Sequence, residues 1–281
     1  MSESRILSCL QNREKGNVDA VETDIKIALS PTVKMPEIEI CIDARSPQKT
    51  EEEVSIATLG GADRIELCDN MIHSGTTPQK ECIKIARELF TKPDGMIVMI
   101  RPRGGNFFFT QSEIDQMRKA IDVAAEFGAD GVALGALRRP EGDLCTEVIS
   151  ELITNAHSAN LAVTLHRAFD AIPEKSKSKA IEWARSIGVN RILTSGTPWG
   201  INDGPTHNLY NLKELSILAN GHIEIVASGG INLVCVKEIV TTLSNLPSPF
   251  SLHMFSGVRV KNSLDINRIY QIREKLTNVT L

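Results

Sequence analysis

The chain has 281 residues, 31 basic against 35 acidic side chains, a formal net charge of -4 and a pI of about 5.9. With no basic cluster longer than Arg138-Arg139, this balance argues against nucleic acid as the main partner, because phosphate binding needs several grouped cations. No segment approaches the ~20 consecutive apolar residues of a membrane span, and the N-terminus lacks the pattern of a secretory signal. A cytoplasmic location without membrane partners is therefore expected. Six cysteines, Cys9, Cys41, Cys68, Cys82, Cys145 and Cys235, are scattered without a C-x-x-C pair, which suggests neither a zinc knuckle nor a disulfide framework. The sequon at Asn278 reads as chance in the absence of a secretion signal.

Residues 1–35 are mostly polar and read as an N-terminal extension. From residue 36 to 281 short β-branched or apolar runs alternate with longer amphipathic stretches, the rhythm of a parallel sheet with crossover helices. Strands are predicted at Glu37–Asp43, Ala62–Asp69, Gly95–Arg103, Ala129–Leu137, Leu161–Phe169, Asn190–Gly196, Ile223–Gly230 and Pro249–Ser256. Thr77-Pro78 reads as the start of the second helix. Thr110-Gln111-Ser112-Glu113 reads as a capping box, followed by Ile114, Met117, Ile121, Ala124 and Ala125 at helical spacing. Gly60-Gly61, Gly128 and Gly188 stand where helices should end and strands begin. Eight such units favour a single α/β domain, a (β/α)8 TIM-type barrel, over an open sheet of five or six strands, and no G-x-G-x-x-G follows the first strand.

Alternation along the strands divides helix-facing from barrel-facing side chains. Ile38, Ile40 and Ile42 belong under helices, which turns Glu39, Cys41 and Asp43 inward. By the same alternation Arg64, Glu66, Cys68, Met99, Arg101, Arg103, Thr164, His166 and His253 face the interior. Buried charges cost several kcal/mol unless paired, so this set reads either as an ion network filling the barrel or as a site near the C-terminal strand ends. The near copies Ile38-Glu39-Ile40-Cys41 and Ile65-Glu66-Leu67-Cys68 place two thiols on neighbouring strands, at matching depth on this reading. Such a pair could share one soft ion such as Cu(I), or fill space as small apolar groups. His166 is either a hydrogen-bonded core residue or an acid or base beside Glu39, Glu66 and Arg101. Arg101 and Arg103 flank a glycine pair and suit an anionic ligand. Gly229 and Gly230, with Ser256-Gly257, stand where barrels often bind phosphate.

Taken together, Glu39-Ile-Cys-Ile-Asp43, Gly60 to Cys68, Ser74 to Pro78, Met99 to Gly105, Gly128 to Gly131, His166 to Asp170 and Leu193 to Gly196 make the chain resemble the CutC family of copper homeostasis proteins. The resemblance covers the chain after residue 36. It implies a barrel fold, a cytosolic location, a role in copper handling and a homodimer or higher homo-oligomer. It departs at Ser228-Gly229-Gly230-Ile231, where three glycines are usual, at His73, and in the spacing of His253 and Ser256. On this resemblance Cys41 and Cys68 would be the Cu(I) ligands, with Glu39 or Glu66 behind them. The competing reading is a barrel enzyme acting on a small carboxylate or phosphate metabolite, with Arg101 and Arg103 holding the anion and His166 with Glu66 moving a proton. A scaffold with an ion-paired interior and no ligand is the third.

Overall fold

A computed structural model of the chain describes residues 35–201 and 206–278. The N-terminal extension, apart from Met35, lies outside the described residues, as do Cys9 and the last two positions of the sequon. Eight parallel strands close into a barrel in sequence order: β1 (Glu37–Asp43), β2 (Arg64–Cys68), β3 (Met96–Met99), β4 (Gly131–Leu134), β5 (Ala162–Leu165), β6 (Arg191–Thr194), β7 (Glu224–Ala227) and β8 (Phe250–Met254). Among the described residues eight α-helices follow them: α1 (Pro47–Leu59), α2 (Lys80–Leu89), α3 (Gln111–Glu126), α4 (Thr146–Ser158), α5 (Lys177–Ser186), α6 (Leu209–Ala219), α7 (Val236–Leu243) and α8 (Ile266–Thr277). The expected (β/α)8 architecture is thus present, closed by pairing of β1 with β8.

Local chemistry explains most of the boundaries. Thr110 and Glu113 form the reciprocal capping box that opens α3, satisfying backbone donors that a helix start leaves free. Gly61, Gly128 and Gly188 carry φ of +82°, +78° and +80° at the turns into β2, β4 and β6, a region that glycine enters without steric cost. The second helix starts later than Thr77-Pro78 predicts: Gln79 is its N-cap. The Thr77 hydroxyl is engaged elsewhere, accepting from Arg101 N at 2.8 Å, while Thr77 N donates to Arg101 O at 2.9 Å. These two bonds tie the start of the second crossover to the end of β3.

The two faces of each strand separate as alternation requires. Ile38, Ile40, Ile42, Ile65, Leu67 and Val98 are wholly buried in the layer between barrel and helices, each contributing about 1.5–3 kcal/mol by leaving water. The inward face starts, at the N-terminal end, with an ion-paired layer. Arg64 pairs with Glu39, with Glu37 at 2.9 Å and with Glu224 at 2.7 Å, and donates to Ser251 Oγ at 2.7 Å. The ion-network reading is therefore right for Arg64 and for one oxygen of Glu39.

The register corrects the expected depth of the two thiols. Cys41 lies opposite Glu66, and Cys68 opposite Asp43, so Cys68 stands one inward position nearer the C-terminal mouth than Cys41. Closing a barrel requires tilted, staggered strands, and that stagger displaces two otherwise matching motifs.

Candidate functional site

The C-terminal mouth opens into a cavity of about 510 Å³, walled by residues in or just after every strand but β4. Its floor carries sulfur. Cys41 and Cys68, each 1% exposed, pack with Ile97, Met99 and Ala133. Met71, on a short 3-10 turn after β2, brings its Sδ to 3.9 Å from Cys41 Sγ. Cys68 Sγ lies 3.5 Å from Glu66 Oε2.

His253 completes the floor from β8. Its Nδ1 is 2.6 Å from Glu39 Oε1 and its Nε2 is 3.6 Å from Glu66 Oε2. Ligand atoms of Cys41, Glu66 and His253 all lie within 4.8 Å of one another. Glu39 therefore faces two ways: one oxygen holds Arg64 in the filler layer and the other orients His253.

Burial and neighbouring charge set the protonation of this group. The adjacent Cys68 thiol lowers Cys41 to a pKa of about 6 against the cost of burial, with His253 assisting. Burial raises Glu66 to about 8, outweighing the attraction of His253. Glu39 stays well below the usual carboxylate range, because Arg64 and His253 overcome its desolvation. His253 is raised well above its ordinary value: burial opposes the charge, but Glu66, Cys41 and Glu39 outweigh it. Cys68, hydrogen-bonded to Cys41 and buried, is raised and stays a thiol.

The opposite wall is aromatic and basic. Arg101, 1% exposed, donates to the carbonyl oxygens of His73, Ser74, Gly75 and Gly105 at 2.7–3.1 Å. Its guanidinium lies 4.8 Å from the Phe107 ring centroid and 5.8 Å from that of Trp199. His166 packs on Phe107 at 5.2 Å, and its Nδ1 accepts from Ala168 N at 3.2 Å. Burial, with the Arg101 charge beside it, lowers His166 to a pKa of about 3.

Gly229 and Gly230 line the cavity. Gly229 adopts a φ of +92°, and a Cβ there would meet Ser195 Cβ at 2.7 Å, so glycine is required at that position.

Arg103 departs from expectation. It is absent from the cavity lining; its Nε donates to Glu113 at 2.6 Å and its guanidinium stacks over Phe109 at 5.2 Å. Strand β3 ends at Met99, and the carboxylate on the first turn of α3 draws Arg103 outward. Asp43 is likewise outside the lining and pairs with Arg45 at 3.2 Å. Asp170, at the end of the His166 motif, is fully engaged with Arg167, Thr194 and Ser195. Met71 and Trp199 sit in turns with no periodicity and had no signal in the sequence. His253 was legible as inward-facing, but its convergence with Cys41 required the fold.

Fold and site together define a (β/α)8 barrel whose mouth is sulfur-rich on one side and basic and aromatic on the other. By its sequence profile, which matches residues 36–246, the chain belongs to the CutC family. A CutC family protein of Enterococcus faecalis is 39% identical over 189 residues, covering 65% of this chain and 86% of its own. One from Bacteroides thetaiotaomicron is 35% identical over 251 residues, covering 88% and 94%. Among solved structures, a Streptococcus agalactiae protein described as a copper homeostasis protein, CutC, superposes with a TM-score of 0.67 at 29% identity, over 78% of this chain and 98% of that one. A Pyrococcus horikoshii Rubisco, with a TM-score of 0.63 at 18% identity over 91% of this chain and 60% of its own, shares the fold alone.

Proposed function

We propose that this chain takes part in copper homeostasis by holding Cu(I) at the cavity floor. The observation that carries this reading is the meeting of the Cys41 thiolate, the Met71 thioether and the His253 imidazole, with the Cys68 thiol beside them. Thiolate, thioether and imidazole are donors that suit Cu(I), whereas Mg or Ca would demand oxygen ligands. The expected pair Cys41 and Cys68 is thereby widened, with Cys41 at the centre, His253 across from it, and Cys68 and Met71 as further sulfur ligands.

His253 is equipped for that role by Glu39. A ligating imidazole commonly donates its other N-H to a carboxylate, which fixes its orientation and raises its basicity. With Nδ1 held by Glu39, Nε2 is the nitrogen on the side of Glu66 and is left to serve as a ligand. A metal held at Nε2 would take the place of the imidazolium proton, which would pass to solvent. Glu66, protonated near neutral pH, contributes a hydrogen bond to the floor more readily than a metal bond.

Anaerobic Cu(I) titration against a competing chelator tests the reading. Wild-type protein is expected to take one tight equivalent, Cys41→Ser to lose it, and Cys68→Ser and Met71→Leu to bind more weakly. Tight binding retained in Cys41→Ser, or absent from the wild type, overturns it.

A further inference from the structure

A copper ion at the floor would fill little of a 510 Å³ cavity, a volume in the range of small-molecule sites. Three of the residues that line the remainder carry a polar atom that no described residue pairs. Arg101 Nε, His166 Nε2 and Ser228 Oγ are each buried, each belongs to a residue at most 2% exposed, and none has a hydrogen-bond partner among the described residues. All three residues line the same cavity. Leaving one such group unpaired costs about 1–3 kcal/mol, so three around one space point to a molecule that pairs with them.

Their chemistry specifies the molecule. Arg101 can only donate. Because His166 Nδ1 accepts from Ala168 N, the proton of the neutral ring resides on Nε2, which is therefore also a donor. Ser228 adds a hydroxyl that can donate. The guanidinium of Arg101 is held by carbonyl oxygens alone, and among the described residues no carboxylate lies within ion-pair distance of it. Arg167, which also reaches the cavity, is already compensated by Asp170 at 2.8 Å. A buried cation without a counter-charge suits an anion, and the two further donors, His166 and Ser228, line the same cavity. Phe107 and Trp199, 5.0 Å apart, supply apolar surface beside it for the carbon skeleton.

We propose that the cavity binds a small organic oxyanion, a carboxylate or phosphate ester, whose charged oxygens take hydrogen bonds from Arg101, His166 and Ser228. Arg103 has no part in it, and His166 acts as a fixed neutral donor. The site shares the cavity with the proposed copper floor but uses none of its ligands, so either can stand without the other.

Thermal unfolding and calorimetric titration of the metal-free full chain with malate, gluconate, glycerol 3-phosphate and ribose 5-phosphate form the test, with chloride as the inert control. At least one of the four probes is expected to raise the Tm in proportion to its concentration. Ser228→Ala removes a hydroxyl that the fold does not use, so the free protein should melt at the same temperature or higher, while affinity for that probe falls roughly tenfold. Ser228→Leu, which fills the space, should abolish probe binding. Cys41→Ser should bind the probe as the wild type does, which separates this site from the copper reading. The proposal is overturned if none of the probes binds, or if Ser228→Ala and Ser228→Leu bind the probe with wild-type affinity. A carboxylate preference or a phosphate preference among the four identifies the oxyanion.

Discussion

His166 is a titratable ring that the fold keeps from titrating. It is buried beside a guanidinium, and both circumstances oppose a second proton, lowering its pKa from 6.5 to about 3. The unfolded chain binds that proton near pH 6.5 and the folded chain does not, so between those values the unfolded state holds more protons and gains on the native state as pH falls. Relative to His166→Gln, which has no titrating group there, wild-type stability should be level above pH 6.5. Below it the wild type should lose roughly 1.4 kcal/mol per pH unit. Urea unfolding of both proteins from pH 4 to 8 measures the gap, and a gap independent of pH would mean that the ring titrates in the native state as it does in the unfolded chain.

The elements around the mouth are tied together by one buried carboxylate. Glu53, in the middle of α1 and wholly buried, accepts from Asp43 N at 2.8 Å at the end of β1 and pairs with Arg259. Arg259 lies beyond β8, donates to Cys41 O at 3.1 Å and stacks on Phe255 at 3.7 Å. Removing one partner of a buried pair leaves an uncompensated charge, so Glu53→Ala should cost about 3–5 kcal/mol. The double variant Glu53→Leu with Arg259→Met should recover part of that loss, since no charge is then stranded. Denaturant melts of Glu53→Leu, Arg259→Met and the double variant give the coupling, and strictly additive losses would show that the pair is not a unit. The same scale explains why the two Ile-Glu/Cys motifs misled: each was legible as a strand with cysteine inward, but their mutual stagger belongs to the closed barrel and not to either strand.

For the molecule as a whole, the barrel of the described residues closes on itself. Eight strands form an unbroken ring and the last barrel helix, α8, buries Ile269, Ile272 and Leu276. A chain of residues 36–281, which keeps every strand of this ring, should unfold cooperatively in a denaturant melt. Loss of the cooperative transition is the contrary result. A homodimer or higher oligomer remains the expectation from the family resemblance; light scattering at micromolar concentration checks it, with a monomer as the contrary result. No helix among the described residues is long and apolar enough to cross a membrane.

The barrel itself was legible from the chain, because alternation in strands and 3.6-residue spacing in helices are local patterns that burial selects directly. Ile38, Ile40 and Ile42 marked the outer face of β1, Glu39 and Cys41 the inner, and the glycines at 61, 128 and 188 marked the turns. Family membership was equally legible, being carried by ordered motifs. What only the tertiary structure decided was which inward residues meet. Strand stagger set Cys41 beside Glu66 and His253 in place of a level thiol pair. The first turn of α3 drew Arg103 away to Glu113, and irregular turns delivered Met71 and Trp199 to the cavity. Those placements depend on distances between residues far apart in the chain, such as the 2.6 Å between Glu39 and His253, and a pattern that repeats every two or four residues carries no information about them.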